Sequence, residues 1–133
     1  MRIRFGYPRQ YRLRKGWQFD LVFRTGRRVN GALVRLLFLP SPDGTTAFGV
    51  AAGKHQGSSP VRSRSKRVLR ESIRRLRPWV REGFWVICML RNSALGRNAR
   101  DVYEEMARLF RRSGLMEKDW PGVDWMSDRS VSE

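Results

Sequence analysis

Two residue types on which many enzyme sites depend are nearly missing from this 133-residue chain, which has one cysteine, Cys88, and one histidine, His55. A single cysteine excludes an intramolecular disulfide framework and fits a reducing compartment. A lone histidine with no matched set of cysteines or carboxylates argues against a zinc site. Acidic residues are also scarce, since only Asp20, Asp43, Glu71 and Glu82 fall within the first hundred positions. They are scattered, so no carboxylate pair is spaced to hold two metal ions. The sole Gly-Lys pair, Gly53-Lys54, lacks the glycine pattern of a phosphate-binding Walker loop. Long apolar runs are missing too. LLFL at 36–39 and FWVICML at 84–90 are far too short to span a bilayer, and no apolar segment follows the basic N-terminus. The expectation is a cytoplasmic chain with no membrane partner, no obligatory protein partner and no catalytic group of its own.

Positive charge is what the chain has in excess. It carries 28 Lys and Arg against 12 Asp and Glu, a formal net charge of +16. The imbalance is concentrated in residues 1–100, with 23 basic and four acidic residues, while 101–133 is net −3. Self-repulsion of that size is tolerated most easily when a polyanion screens it, which makes nucleic acid the leading partner class. Charge alone does not choose between RNA and DNA.

The pattern of apolar residues places this charge on a fold. Residues 1–12 alternate basic and aromatic side chains around Gly6 and Pro8 and read as an extended or mobile arm. Trp17, Leu21 and the pair Phe19 and Phe23 recur at spacing four, which predicts a short helix stopped at Gly26. Val29–Leu39 reads as a strand, residues 40–44 as a turn, and Thr45–Ala52 as the second arm of a hairpin. Ser59 is a natural N-cap with Pro60 in the first helical position. The helix that follows puts Val61, Ser65, Val68, Leu69, Ser72, Ile73 and Leu76 on one face. Arg62, Lys66, Arg70, Arg74 and Arg77 form a ridge beside it, and Pro78 ends it. Phe84–Leu90 predicts a central strand. Asp101–Arg112 predicts a last helix, with Asp101, Glu104 and Glu105 near its positive end. Together these predict an α/β two-layer sandwich with a small sheet and packed helices, one domain over 1–118, and a polar acidic tail over 119–133. Trp120 and Trp125 are candidates for tacking that tail down.

The two-faced helix would dock its apolar side on the sheet and turn its arginine forks outward to phosphates. Phe19 and Phe23, with Tyr7 and Tyr11 upstream, could stack on unpaired bases or simply belong to the core.

The stretch GKHQGSSPVRSRSKRVLRE at 53–71 closely resembles the signature of the bacterial ribonuclease P protein component. Gly57, Val61, Arg62, Arg64, Lys66, Arg67, Arg70 and Glu71 match it, while Ser58 and Ser63 stand where the family has asparagines. Leu13-Arg14-Lys15, Phe19, Val22-Phe23, Gly26, Gly83 and residues 103–109 extend the likeness to roughly residues 10–115. The resemblance implies the protein subunit of a ribonucleoprotein endonuclease that removes the 5′ leader of precursor tRNA. Hydrolysis would be performed by a large RNA subunit with Mg2+. It also implies a left-handed crossover around the basic helix, against the general rule for such connections. Carried over by position, it implies that Arg62, Arg64, Lys66, Arg67, Arg70 and Arg74 bind the RNA subunit. Arg14, Phe19, Phe23, Arg35 and Phe48 would line the leader cleft, and Lys54, Ser58 and Ser63 would neighbour a bound phosphate or metal ion.

Overall fold

The computed structural model describes residues 6–53 and 57–125. After a 3-10 turn at Arg9–Tyr11 come helix α1 (Gly16–Thr25) and strands β1 (Arg27–Asn30), β2 (Val34–Pro40) and β3 (Ala47–Ala51). Helix α2 (Ser59–Leu76), strand β4 (Phe84–Leu90) and helix α3 (Ala99–Arg112) complete the order. The strands make one four-stranded sheet in the order β1-β2-β4-β3. Helices α2 and α3 cover one face, and α1 covers part of the other.

The predicted hairpin is corrected. The segment expected as one strand is itself a hairpin, β1–β2, and β3 does not pair with β2. Strand β4 lies between them, antiparallel to β2 and parallel to β3. Its composition explains the position. Val86, Cys88 and Leu90 face α2 and α3, while Trp85 and Ile87 face α1, so β4 is buried on both sides as only an inner strand can be. The turn chemistry is present, because the Asp43 carboxylate accepts from the Thr45 N–H at 3.0 Å. However, the connection from β2 to β3 passes over the start of β4. There the Ser41 N–H donates to the Gly83 carbonyl, and the Gly83 N–H donates to the Thr46 hydroxyl, both at 2.8 Å.

Residues 6–13 are not a free arm. The Leu13 N–H donates to the Phe48 carbonyl at 2.8 Å, and the Tyr7 hydroxyl donates to the same oxygen, covering the outer edge of β3. The Gly6 N–H donates to the Arg74 carbonyl at 3.0 Å, so the segment is also tied to α2. Residues 1–5 lie outside the described residues.

On α2, Leu69, Ile73 and Leu76 are buried as expected, and Ser65 and Ser72 are buried with their hydroxyls bonded back to Val61 and Val68 carbonyls. Val61 departs from the prediction: it is 38% exposed, because the first turn of α2 lies beyond the packed region. On α1 the fully buried residue is Val22, and Trp17 is 56% exposed, resting edge-on against Trp85.

Helix α3 begins two residues earlier than expected, with the Asn98 side chain accepting from the Asp101 N–H at 2.8 Å. Glu105, expected near the positive end of the helix, instead points inward and accepts from the Leu33 N–H at 2.7 Å. Burial pushes its carboxyl upward, but the Leu33 N–H and Arg108 outweigh that and hold it below the ordinary range. Glu105→Ala would leave the buried Leu33 N–H without its partner. We expect a loss of about 1–3 kcal/mol of stability, read as a lower denaturant midpoint with an unchanged slope.

Candidate nucleic-acid interface

The basic face of α2 begins at a tight entry. Gly57 has φ of 119°, in the left-handed region that glycine adopts without strain. Ser58, not Ser59, occupies the N-cap position, and its side chain makes no capping hydrogen bond. Arg62 folds back on this entry, donating to the Gly57 carbonyl at 2.7 Å and to the Ser59 hydroxyl at 3.2 Å.

The remaining cations sort by what they already hold. Arg64 donates to the Arg97 carbonyl at 3.0 Å, tying α2 to the loop before α3. Arg74 makes two hydrogen bonds to Glu71, at 2.7 and 3.3 Å. Arg77 is drawn inward, donating to the Gly6 carbonyl at 2.8 Å and lying over the Tyr11 ring. Lys66, Arg67 and Arg70 have no hydrogen bond or ion pair among the described residues, and they are the cations on α2 most available to an external anion. Glu71 is the one carboxylate of α2. Hydrogen bonding from Arg74 chiefly holds its carboxyl below the usual range; partial burial opposes this, and Arg75 reinforces it. That depression contributes stability above the ordinary glutamate pKa of about 4.3. The contribution is lost as pH falls through the lower folded-state value.

Beside this ridge a cavity of about 570 Å³ opens between the N-terminal segment, α1, β3 and α2. It is lined by Tyr7, Arg9, Arg12, Leu13, Arg14, Phe19, Gly49, Val50 and Arg70. Four different chain segments thus contribute a mixed cationic and aromatic wall with no carboxylate. Position 49 has no side chain, and the Phe19 ring fills the space above it. A Cβ there would stand 2.8 Å from two atoms of the Phe19 ring, so glycine is what lets Phe19 lie over β3. Arg70 lines the cavity and also belongs to the ridge, making the two features one continuous surface. Such a surface can hold a phosphate backbone by charge and an unpaired base by stacking.

The model of the family described as Ribonuclease P matches residues 7–114. The chain belongs to the ribonuclease P protein family. The ribonuclease P protein component of Symbiobacterium thermophilum is 36% identical over 110 residues, spanning 82% of this chain and 96% of its own length. That of Exiguobacterium is 32% identical, spanning 83% and 96%. The RNase P protein of Thermotoga maritima has a similar structure, with a TM-score of 0.67 at 25% identity over 76% of this chain and 96% of that one. The Staphylococcus aureus RNase P protein shares the fold, with a TM-score of 0.71 at 16% identity over 80% and 98%.

Within this ribonuclease P family chain, the residues expected in a leader cleft do not all meet. Arg14 and Phe19 line the cavity beside Arg70. Phe23 packs half-buried between α1 and the sheet. Arg35 lines a separate cavity of about 340 Å³ with Arg91 and Ser93, and donates to the Asn30 side chain at 2.8 Å. Phe48 is corrected outright. Its side chain is fully buried on the α2 and α3 side, because alternate residues of β3 face opposite ways and Gly49 faces Phe19 and Leu13. Tyr7 was legible as a stacking candidate, and Arg9 and Arg12 only as part of a basic aromatic arm. Their convergence on the cavity depends on the edge pairing to Phe48.

Lys54 lies outside the described residues. Ser58 and Ser63 are exposed hydroxyls on an arginine-rich turn, and the only acidic residue of α2, Glu71, is committed to Arg74 and Arg75. A divalent cation demands carboxylate or other oxygen ligands in number, and these residues do not fit a magnesium ion held by the protein. Among the described residues no group of three or more His, Cys, Asp or Glu side chains gathers. Among those residues also, no helix is long and apolar enough to cross a membrane.

Proposed function

We propose that this chain is the protein subunit of a ribonuclease P ribonucleoprotein. It binds the catalytic RNA through the α2 ridge, chiefly Lys66, Arg67 and Arg70. The 5′ leader of precursor tRNA lies in the cavity walled by Arg14, Phe19, Tyr7 and Arg12. Hydrolysis of the leader phosphodiester belongs to the RNA, with magnesium ions held by RNA oxygens, and the assembly works in the cytoplasm. The observation that carries this reading is the junction at Arg70, where a carboxylate-free cavity with an aromatic side chain meets the exposed cations of the family motif. A single-stranded leader leaving a structured RNA needs such a transition from backbone contact to base stacking.

Cleavage of 5′-labelled precursor tRNA at low millimolar magnesium tests it, using a bacterial ribonuclease P RNA with and without the purified protein, and the protein alone. Cleavage at the mature 5′ end is expected only with RNA and protein together, and the protein alone should be inert. Salt-sensitive binding of that RNA without stimulated cleavage would instead mark a structural RNA-binding module.

A further inference from the structure

The match to the family ends at residue 114, yet the chain continues as an ordered segment that returns to the signature helix. Leu115 is buried, Met116 bridges to Val80, and the Glu117 N–H donates to the Trp79 carbonyl at 2.7 Å. The segment then reaches the seam between α2 and α3. There the Asp124 N–H donates to the Tyr103 hydroxyl at 3.2 Å, and the Trp125 ring lies 5.6 Å from that of Tyr103.

Trp125 sits on an unusual partner. Arg75, from the middle of the basic signature helix, is only 4% exposed. Its guanidinium carbon lies 3.7 Å from the centre of the Trp125 ring, and one of its nitrogens donates to the Trp125 carbonyl. Another of its nitrogens donates to Glu71 at 2.7 Å, and the same carboxylate accepts two bonds from Arg74. A continuous line of contacts therefore runs from Trp125 through Arg75 and Glu71 to Arg74. Arg74 is on the outward ridge, whereas Arg75 is in the seam.

Charge gives this line a consequence. Two cations share one carboxylate, so the group keeps a net positive charge at Arg74. If Arg75 left the seam, Glu71 would serve Arg74 alone and neutralise it. The two bonds to Glu71 also fix the guanidinium plane, and an arginine fork with two of its five N–H groups engaged still has three to offer a phosphate.

We propose that the C-terminal segment is a positioning strap for the RNA interface, with Trp125 acting through Arg75 and Glu71 to hold Arg74 charged and oriented for an RNA phosphate. This rests on the reading of α2 as the RNA-binding helix. Arg75 is accordingly a positioning residue, withdrawn from RNA contact although it lies within the basic run.

The test measures binding of the full-length protein to ribonuclease P RNA across a salt series, with thermal unfolding in parallel. Trp125→Ala is expected to weaken binding roughly 3–10-fold and to lower the salt slope by about one. Trp125→Phe, which keeps a ring over Arg75, should restore most of that loss. In an Arg74→Ala background, Trp125→Ala should change affinity by less than about twofold, since the two act as one unit. Fully multiplicative effects of the two substitutions, or a change in melting temperature without a change in affinity, would overturn the strap. Should Trp125→Ala fail to fold, Arg75→Met, which keeps the aliphatic stem under Trp125, supports the same comparison. An Arg74→Ala protein that binds like the parent would remove Arg74 from the interface and the strap's role with it. The reading of α2 itself would still be judged separately through Lys66, Arg67 and Arg70.

Discussion

Replacing Lys66, Arg67 and Arg70 together with alanine is expected to weaken binding to ribonuclease P RNA by roughly two to three orders of magnitude at moderate salt. Each phosphate deprived of its cation should also flatten the dependence of log affinity on log salt by about one, so the slope should fall by about two to three. Stability should hardly change, because none of the three makes a hydrogen bond or ion pair among the described residues. Filter binding across a salt series, with thermal unfolding as the control, reads both quantities. A triple variant with parental affinity and slope would remove α2 from the RNA interface. Arg62 and Arg64 match the family motif equally well and make poorer probes. Arg62 closes the turn at Gly57 and Arg64 ties α2 to Arg97, so substituting them mixes lost charge with lost structure.

The second large effect is expected at Gly49, through shape and not charge. A side chain there meets the Phe19 ring at 2.8 Å and the Leu13 Cβ at 3.4 Å, and valine would add two more carbons to that collision. Phe19 must then leave β3 and swing into the cavity. Forced overpacking of this kind costs about 1–3 kcal/mol, which a folded domain can survive. Gly49→Val should therefore bind the RNA subunit nearly as well as the parent but lose its preference for precursor over mature tRNA. That preference should fall by roughly fivefold to a hundredfold, given stacking worth about 1–3 kcal/mol per base. Comparing the affinities of the assembled ribonucleoprotein for the two tRNAs decides it. A preserved preference would place the leader elsewhere, with the cavity of Arg35 and Arg91 the next place to look.

Both predictions concern residues whose roles were unevenly legible. The helix at α2 was readable because its signals are local: a proline near its start, apolar residues at helical spacing, and a proline just after its end. The centrality of β4 was readable for a related reason, since seven consecutive apolar residues suit a strand buried on both faces. Strand pairing was not. A turn rich in proline and glycine says that the chain reverses, not which strand it will join, and the neighbour of β2 arrives some forty residues later. The facing of Phe48 and Gly49 was hidden for the same reason. Strand residues alternate sides, so assigning a single position requires knowing the register of the whole sheet.

The sequence by itself determined the excess of positive charge, the family and the identity of the basic helix. These depend on composition and linear spacing, which do not change when the chain folds. Only the tertiary structure decided what each cation does. A long arginine side chain bonds to whichever acceptor the fold brings within reach, and those acceptors come from distant segments. Arg62 is taken by the Gly57 turn, Arg64 by the loop before α3, Arg77 by the N-terminal segment, and Arg75 by Glu71 and Trp125. Lys66, Arg67 and Arg70 are left without a hydrogen bond or ion pair because no described part of this fold brings an acceptor within their reach.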